Sequence, residues 1–270
     1  VKELMSETTT VSPTPRRPFA AVAVHLTAFH AASWWNWRNS NLGRLVEPLI
    51  YFAFLCTSLR GVVTVEGGGD SYLRFSYVGM LGYVSLRVGI ATLVDVANDR
   101  KWGVYAIARM DGRSAGAYLA SLVAANLVLM AIQAAALLGL LALFAPTQVT
   151  PSVWSVTALA LAGSVFWSMT GAVLAFGVSS YSRRDLISTL SLLPLALTAP
   201  IFYPTDVMPP VVRAMAYVNP LTYELDALRS ALNGSSNVAA TAAFLLATAS
   251  MAALLSFVAR RSPLVSGEVS

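Results

Sequence analysis

Few side chains in this sequence could do chemistry, and they are widely spaced. Glu47, Arg87 and Asp95 lie within or at the edges of long apolar runs, where ionisable groups are costly and mark ion pairs or ligand contacts. Glu47 near the start of the first run and Arg87 a little past the middle of the second are placed to pair across neighbouring helices. The alternative role for them is contact with a bound substrate. An enzyme acting on lipid-linked substrates would need converging acids, bases or metal ligands, and the runs offer only these three groups. Cys56 is the single cysteine, which excludes a disulfide or thiolate cluster within one chain. His25 and His30 would point about 140° apart on a helix, which fits interfacial residues better than metal ligands. HExxH and GxxxxGK[ST] are missing from the sequence, so the chain has no P-loop of its own for ATP. No cofactor is expected in it.

Two further segments carry information. Asn98–Arg113 is the most highly charged stretch, yet it contains Trp102, Val104, Tyr105 and Ile107, which a plain linker would not need. A short helix offering them to a partner explains both features; an interfacial loop anchored by Trp102 and Tyr105 is the alternative. Between Ala199 and Arg229 the chain reads Ala-Pro-Ile-Phe-Tyr-Pro, then Pro209-Pro210, then Asn219-Pro220-Leu221-Thr222-Tyr223. Asn219 suits an N-cap with Pro220 at the first helical position, and Pro209-Pro210 opens a shorter helix ending near Tyr217. Two short helices joined by irregular backbone must be shielded by protein if they lie at membrane depth.

The elements that position these residues follow from composition. Of 270 residues, 56% are hydrophobic and 11% charged, with a mean hydropathy of +0.65; a soluble domain has roughly 25% charged residues. About six runs are long enough to cross a membrane: 45–65, 75–97, 115–144, 153–179, 186–201 and 238–258. Lys and Arg in short loops mark the cytoplasmic side. With the N-terminus inside, that side receives Lys2, Arg16, Arg17, Arg38, Arg44, Arg100, Lys101, Arg109, Arg113, Arg183, Arg184, Arg260 and Arg261. Arg60, Arg74, Arg213 and Arg229 fall outside. The net charge of +5 therefore records membrane orientation, and nucleic acid is not an expected partner.

Residues 1–18, rich in Thr, Ser and Pro, read as a disordered cytoplasmic tail, and residues 260–270 as a second tail. Between them lies a membrane domain, 19–259. Within it, Phe19, Val22, Leu26, Phe29, Trp34 and Trp37 mark one helix face, so 19–40 reads as a helix lying in the cytoplasmic interface, with a tilted seventh span as the alternative. Asn126 and Gln133 share a face of the third span, suited to hydrogen bonds between helices. Tyr51, Phe54, Phe202, Tyr203 and Tyr223 could line a path through the membrane or pack helices. An ion-coupled carrier would show paired broken helices in two related halves, whereas only the fifth run is interrupted, by Pro194 and Pro200.

The run from Pro200 to Arg229, with Phe-Tyr-Pro, Asn-Pro-Leu-Thr-Tyr and Asp226-Ala227-Leu228-Arg229, resembles the C-terminal signature of type-2 ATP-binding-cassette (ABC) export permeases. Leu45-Val46-Glu47-Pro48-Leu49-Ile50-Tyr51 resembles the start of their first span, particularly in the drug-resistance and nodulation-factor exporter branches. The resemblance implies an all-α polytopic fold: an amphipathic elbow helix (19–40), six spans, a coupling helix in 98–113 and two re-entrant helices in 202–233. It implies two copies of an ATPase subunit, which binds ATP and Mg, docked on Arg100, Lys101, Trp102, Val104, Tyr105 and Ile107. It also implies a second permease chain, identical or similar, with a gated path at Tyr51, Phe54, Phe202, Tyr203, Asn219, Pro220 and Tyr223. The implied location is the plasma or inner membrane, surrounded by lipid, with both termini cytoplasmic. The chain departs from the family in its coupling loop, where Arg100-Lys101 replaces a Glu-rich start and Met110-Asp111 stands where a Thr-Pro pair is common.

Overall fold

Long apolar runs without interior breakers can satisfy their backbone only as helices, and helices are what they form. A computed structural model describes residues 19–36, 38–63, 69–110, 115–234 and 238–261. In chain order the helices are α1 (Phe19–Asn36), α2 (Arg38–Ile50), a π-helical turn (Tyr51–Cys56), α3 (Thr57–Leu59), α4 (Gly69–Lys101), α5 (Val104–Met110) and α6 (Ala115–Phe144). They continue as α7 (Ser152–Phe176), α8 (Tyr181–Thr198), α9 (Pro210–Val218), α10 (Pro220–Leu232) and α11 (Val238–Arg261). The described residues contain no strand.

Four stretches among the described residues are long and apolar enough to cross a membrane: Leu42–Leu59, Ser71–Lys101, Ala115–Phe144 and Ser152–Phe176. The fifth and sixth expected spans are helical as α8 and α11. α8 has 18 residues and opens with Arg183, Arg184 and Asp185, so its apolar remainder is about 20 Å long against a hydrocarbon core of about 30 Å. α11 takes Arg260 and Arg261 into its last turn, where cations suit the helix dipole, so the helix continues past the boundary expected at 259. Residues 1–18 and 262–270 lie outside the described part.

α4 and α7 form the most extensive helix pair, and glycine makes it possible. A Cβ on Gly171 would collide with the Gly89 carbonyl, and a Cβ on Gly89 would lie 2.7 Å from the Trp167 carbonyl oxygen. Without side chains at the crossing the two backbones touch. Two apolar clusters stack along the bundle. One holds Tyr72, Tyr77, Leu81, Met130, Leu137, Val156 and Leu225; the other holds Leu93, Val96, Tyr105, Tyr118, Ala175 and Leu255.

Two local features depart from expectation. His30, read as interfacial, is buried one turn after Leu26 and meets the Tyr118 ring edge-on at 5.9 Å, because α1 packs along α6. Of the apolar face expected on α1, Leu26 is buried and Trp34 half-buried; the side chains of Phe19, Val22, His25 and Phe29, and residue 37, fall outside the described set. In the first span Pro48 lies inside α2, and the chain then widens into the π-turn Tyr51–Cys56. The Thr57 hydroxyl donates to the Ala53 carbonyl and the Ser58 hydroxyl to that of Phe54 at 2.6 Å. Side chains thereby satisfy acceptors that the altered ladder leaves weakly bonded.

Candidate functional site

The charged loop between α4 and α6 contains the short helix α5, and its connections reach much of the bundle. Gly103, at φ +78°, takes the left-handed conformation that ends α4 and turns the chain into α5. Arg100 turns inward: it is 3% exposed, donates to the Ala175 and Phe176 carbonyls at 3.0 Å each and lies over the Phe176 ring. It thus ties α4 to the last carbonyls of α7, which have no intrahelical partner. Tyr105 is fully buried among Tyr118 and Phe176, with its hydroxyl 3.4 Å from the Ala259 carbonyl of α11. On the side of α8, the Trp102 indole donates to the Tyr181 hydroxyl at 2.8 Å and the Lys101 ammonium lies 3.8 Å from the Tyr181 ring centre. Arg184 reaches back to the Asn98 side chain.

The docking set expected from sequence therefore divides. Trp102 and Ile107 are 60% and 68% exposed, while Tyr105 and Arg100 belong to the interior; Val104 and Lys101 are half-buried. Seven residues make two turns, so a helix this short presents only a narrow outer face. Tyr105 lies on the inner one.

Glu47 and Arg87 meet, with Arg87 Nη1 2.8 Å from Glu47 Oε2. The Tyr83 hydroxyl donates to Glu47 Oε1 at 2.8 Å and Tyr51 abuts Tyr83 edge-on. Arg87 also lines a cavity of about 120 Å³ with Trp34, Arg44, Asn126 and Gln133. Asn126 donates across to the Thr92 hydroxyl at 2.8 Å, and Gln133 to the Arg44 carbonyl at 2.9 Å, joining α6 to α4 and α2.

At the far end, the irregular connection from Ala199 to Pro209 is held by side chains that claim its carbonyls. Tyr72 donates to Phe202 at 2.8 Å, and Arg229 donates to Pro200 while lying 3.9 Å over the Phe75 ring. Arg213 bonds the carbonyls of Thr205, Asp206 and Met208. Arg74 closes α10 at the Leu232 carbonyl, 2.9 Å away. Three of the four arginines that the expected topology assigns to the outside, Arg74, Arg213 and Arg229, are thus carbonyl partners. Their position against that rule was the signal that could have found them.

The aromatic and polar residues expected to line a path are held in different ways. Asn219 is 3% exposed: its carbonyl oxygen caps α10 at Leu221 N, and its amide donates to the Leu195 carbonyl and Thr198 hydroxyl at 2.7 and 2.9 Å. It pins α10 to α8. Tyr223 is exposed and bonds the Tyr217 carbonyl at 2.6 Å; Tyr203 reaches the Leu197 carbonyl at 3.3 Å. Phe54 is 70% exposed, Pro220 is exposed, and Phe202 is half-buried.

Sequence reading missed Glu224. It is 3% exposed, and its Oε2 accepts from the Trp167 indole at 2.6 Å. Leu221, Leu225, Leu228 and Leu232 mark the buried face of α10, and Glu224 falls within that stripe, a carboxylate where the spacing demands an apolar group.

No match is found among curated proteins. The family model described as ABC-2 type transporter matches residues 24–233, which spans the helices from α1 to α10, including the loop helix and the paired short helices. The chain belongs to the ABC-2 type transporter family, as the membrane permease component that works with an ABC ATPase carried on a partner subunit.

Proposed function

We propose that this chain is the permease subunit of an ABC exporter in a plasma or inner membrane, moving a hydrophobic drug, a lipid or a lipid-linked or modified glycan out of the cytoplasm. In this reading α2, α4, α6, α7, α8 and α11 cross the membrane, α1 lies in the interface, α9 and α10 re-enter from outside, and both termini are cytoplasmic. Two permease chains form the path, and two ATPase subunits drive it.

The observation that carries the reading is the seating of α5. Trp102 and Ile107 face outward, while Arg100, Tyr105 and the Tyr181 cluster fasten the same segment to α7, α11 and α8. A force on the outer face of α5 therefore reaches the ends of several spans together. ATP binding on the partner shifts the permease between two packings to the extent that this contact differs between them. Trp102, Val104 and Ile107 form the docking face.

Purifying the tagged chain from its native membrane in mild detergent and assaying ATP hydrolysis tests this. The expected result is co-purification of a P-loop ATPase in equal ratio, lost in Trp102→Ala/Ile107→Ala while the variant still elutes as a folded species. Retention of the ATPase and of stimulated hydrolysis by that variant would refute α5 as the docking element. A stable chain without any ATPase would refute the transporter assembly.

A further inference from the structure

A cavity of about 480 Å³ opens between α7, α10 and α11, within the roughly 300–1,000 Å³ range of small-molecule sites. It lies away from both the α5 segment and the Glu47–Arg87 pair. Phe166, Trp167, Tyr223 and Phe244 supply four aromatic rings to its wall, and Glu224 and Asp226 supply two acids; no basic residue is among the described residues that line it, and Arg229 acts on Asp226 from outside the wall. Phe166 anchors the aromatic group, meeting Trp167 edge-on at 5.4 Å and Phe244 at 6.0 Å.

Glu224 gives the cavity its chemistry. Its Oε2 takes the Trp167 indole proton. Oε1 packs against the bare Cα of Gly163, where a Cβ would displace it, with the Ser85 hydroxyl beside it. That hydroxyl is shared between the carboxylate and the Ala160 carbonyl, 3.2 Å away. Arg229, the basic residue closest along α10, is turned to the Pro200 carbonyl and the Phe75 ring. A buried carboxylate held only by neutral donors favours a positive charge nearby, and aromatic faces attract the same charge when it is spread over an apolar body.

We infer that this cavity is a binding site for a hydrophobic organic cation, its charge facing Glu224 and Asp226 and its apolar body held among Phe166, Trp167, Tyr223 and Phe244.

The test is equilibrium binding of labelled tetraphenylphosphonium to the full chain in lipid nanodiscs, with tetraphenylborate as an anion of matching shape. Saturable binding at one site per chain is expected, displaced by quaternary alkylammonium ions and not by tetraphenylborate. Glu224→Gln should weaken it at least tenfold. Asp226→Asn, at an exposed position, and Phe244→Ala should each weaken it about threefold or more, and they carry the test if the Glu224 variant does not elute as a folded species. Absence of saturable cation binding, equal affinity for tetraphenylborate, or wild-type affinity in the folded variants would overturn the assignment.

Discussion

Replacing Gly171 by alanine sets two effects of known sign against each other. Alanine is favoured over glycine in a helix interior by about 1 kcal/mol, which alone would stabilise α7. The new Cβ, however, would lie on the Gly89 carbonyl oxygen, 2.9 Å from its carbon and 3.1 Å from Leu93 N. These neighbours are α4 backbone, which cannot step aside as a flexible side chain would. The helices must separate by on the order of 1 Å, a gap that forfeits a quarter to a half of each dispersion contact along the crossing. Overpacking of this kind costs about 1–3 kcal/mol at one site, and more along the principal helix pair. Packing wins: a cost in the upper part of that range, about 2–3 kcal/mol, less the roughly 1 kcal/mol of propensity leaves about 1–2 kcal/mol of destabilisation, or roughly 5 °C in the melting midpoint for a chain of this size. Gly139→Ala on α6 is the control, since nothing lies within 4 Å of its Cβ; it should gain up to about 1 kcal/mol. The assay is size-exclusion recovery after graded heating in detergent. A Gly171→Ala protein that melts at or above the Gly139→Ala control would refute the claim that glycine permits the α4–α7 contact.

The remaining predictions use the same assay. Arg87→Met strands Glu47; because the two side chains are 17% and 37% exposed, the expected loss is about 1–2 kcal/mol, below the 3–5 of a fully buried pair, and Glu47→Arg/Arg87→Glu should recover part of it. Asn219→Ala removes a cap and two donor bonds, about 2–3 kcal/mol together, and Asn219→Ser should restore about 1 by recapping α10 alone. Burial pushes the His30 imidazole down to about 4, so the undocked state takes up a proton that the docked state refuses. That contribution to stability is complete above pH 6.5 and declines by up to about 1.4 kcal/mol per pH unit as pH falls toward 4. His30→Phe should flatten this acid loss, and an unchanged acid profile would exclude His30 as its source.

Much of the helix pattern is legible in the residues because apolar run length and proline punctuation act locally. α6 occupies Ala115–Phe144, the run read from hydropathy, and α9 and α10 begin at the prolines that announce them. Span number is harder to read: α8 spends its first turn on Arg183, Arg184 and Asp185, and the apolar residues after Thr198 continue as irregular chain. Side-chain direction in α5 was hidden because Tyr105 and Ile107 are equally apolar, and only the positions of Tyr118 and Phe176 decide which one is interior. Asn219 was readable as a cap, whereas its amide bonds to α8 depend on two elements meeting in space. Glu224 shows the same limit, since the cavity beside it belongs to three helices.

The arginines holding the connection before α9 bear on how the protein is made. Tyr72, Arg74 and Phe75 sit at the start of α4, and the Phe202 carbonyl that Tyr72 receives is 130 residues further along the chain. During synthesis the receiving surface is therefore in the bilayer long before its partners leave the ribosome. Arg229 and the Pro200 carbonyl then enter together, cation and acceptor in one segment, and must find that surface before either is shielded. Assembly of this end is thus a late step: a chain interrupted before Arg229 would leave the Pro200 carbonyl without its guanidinium partner.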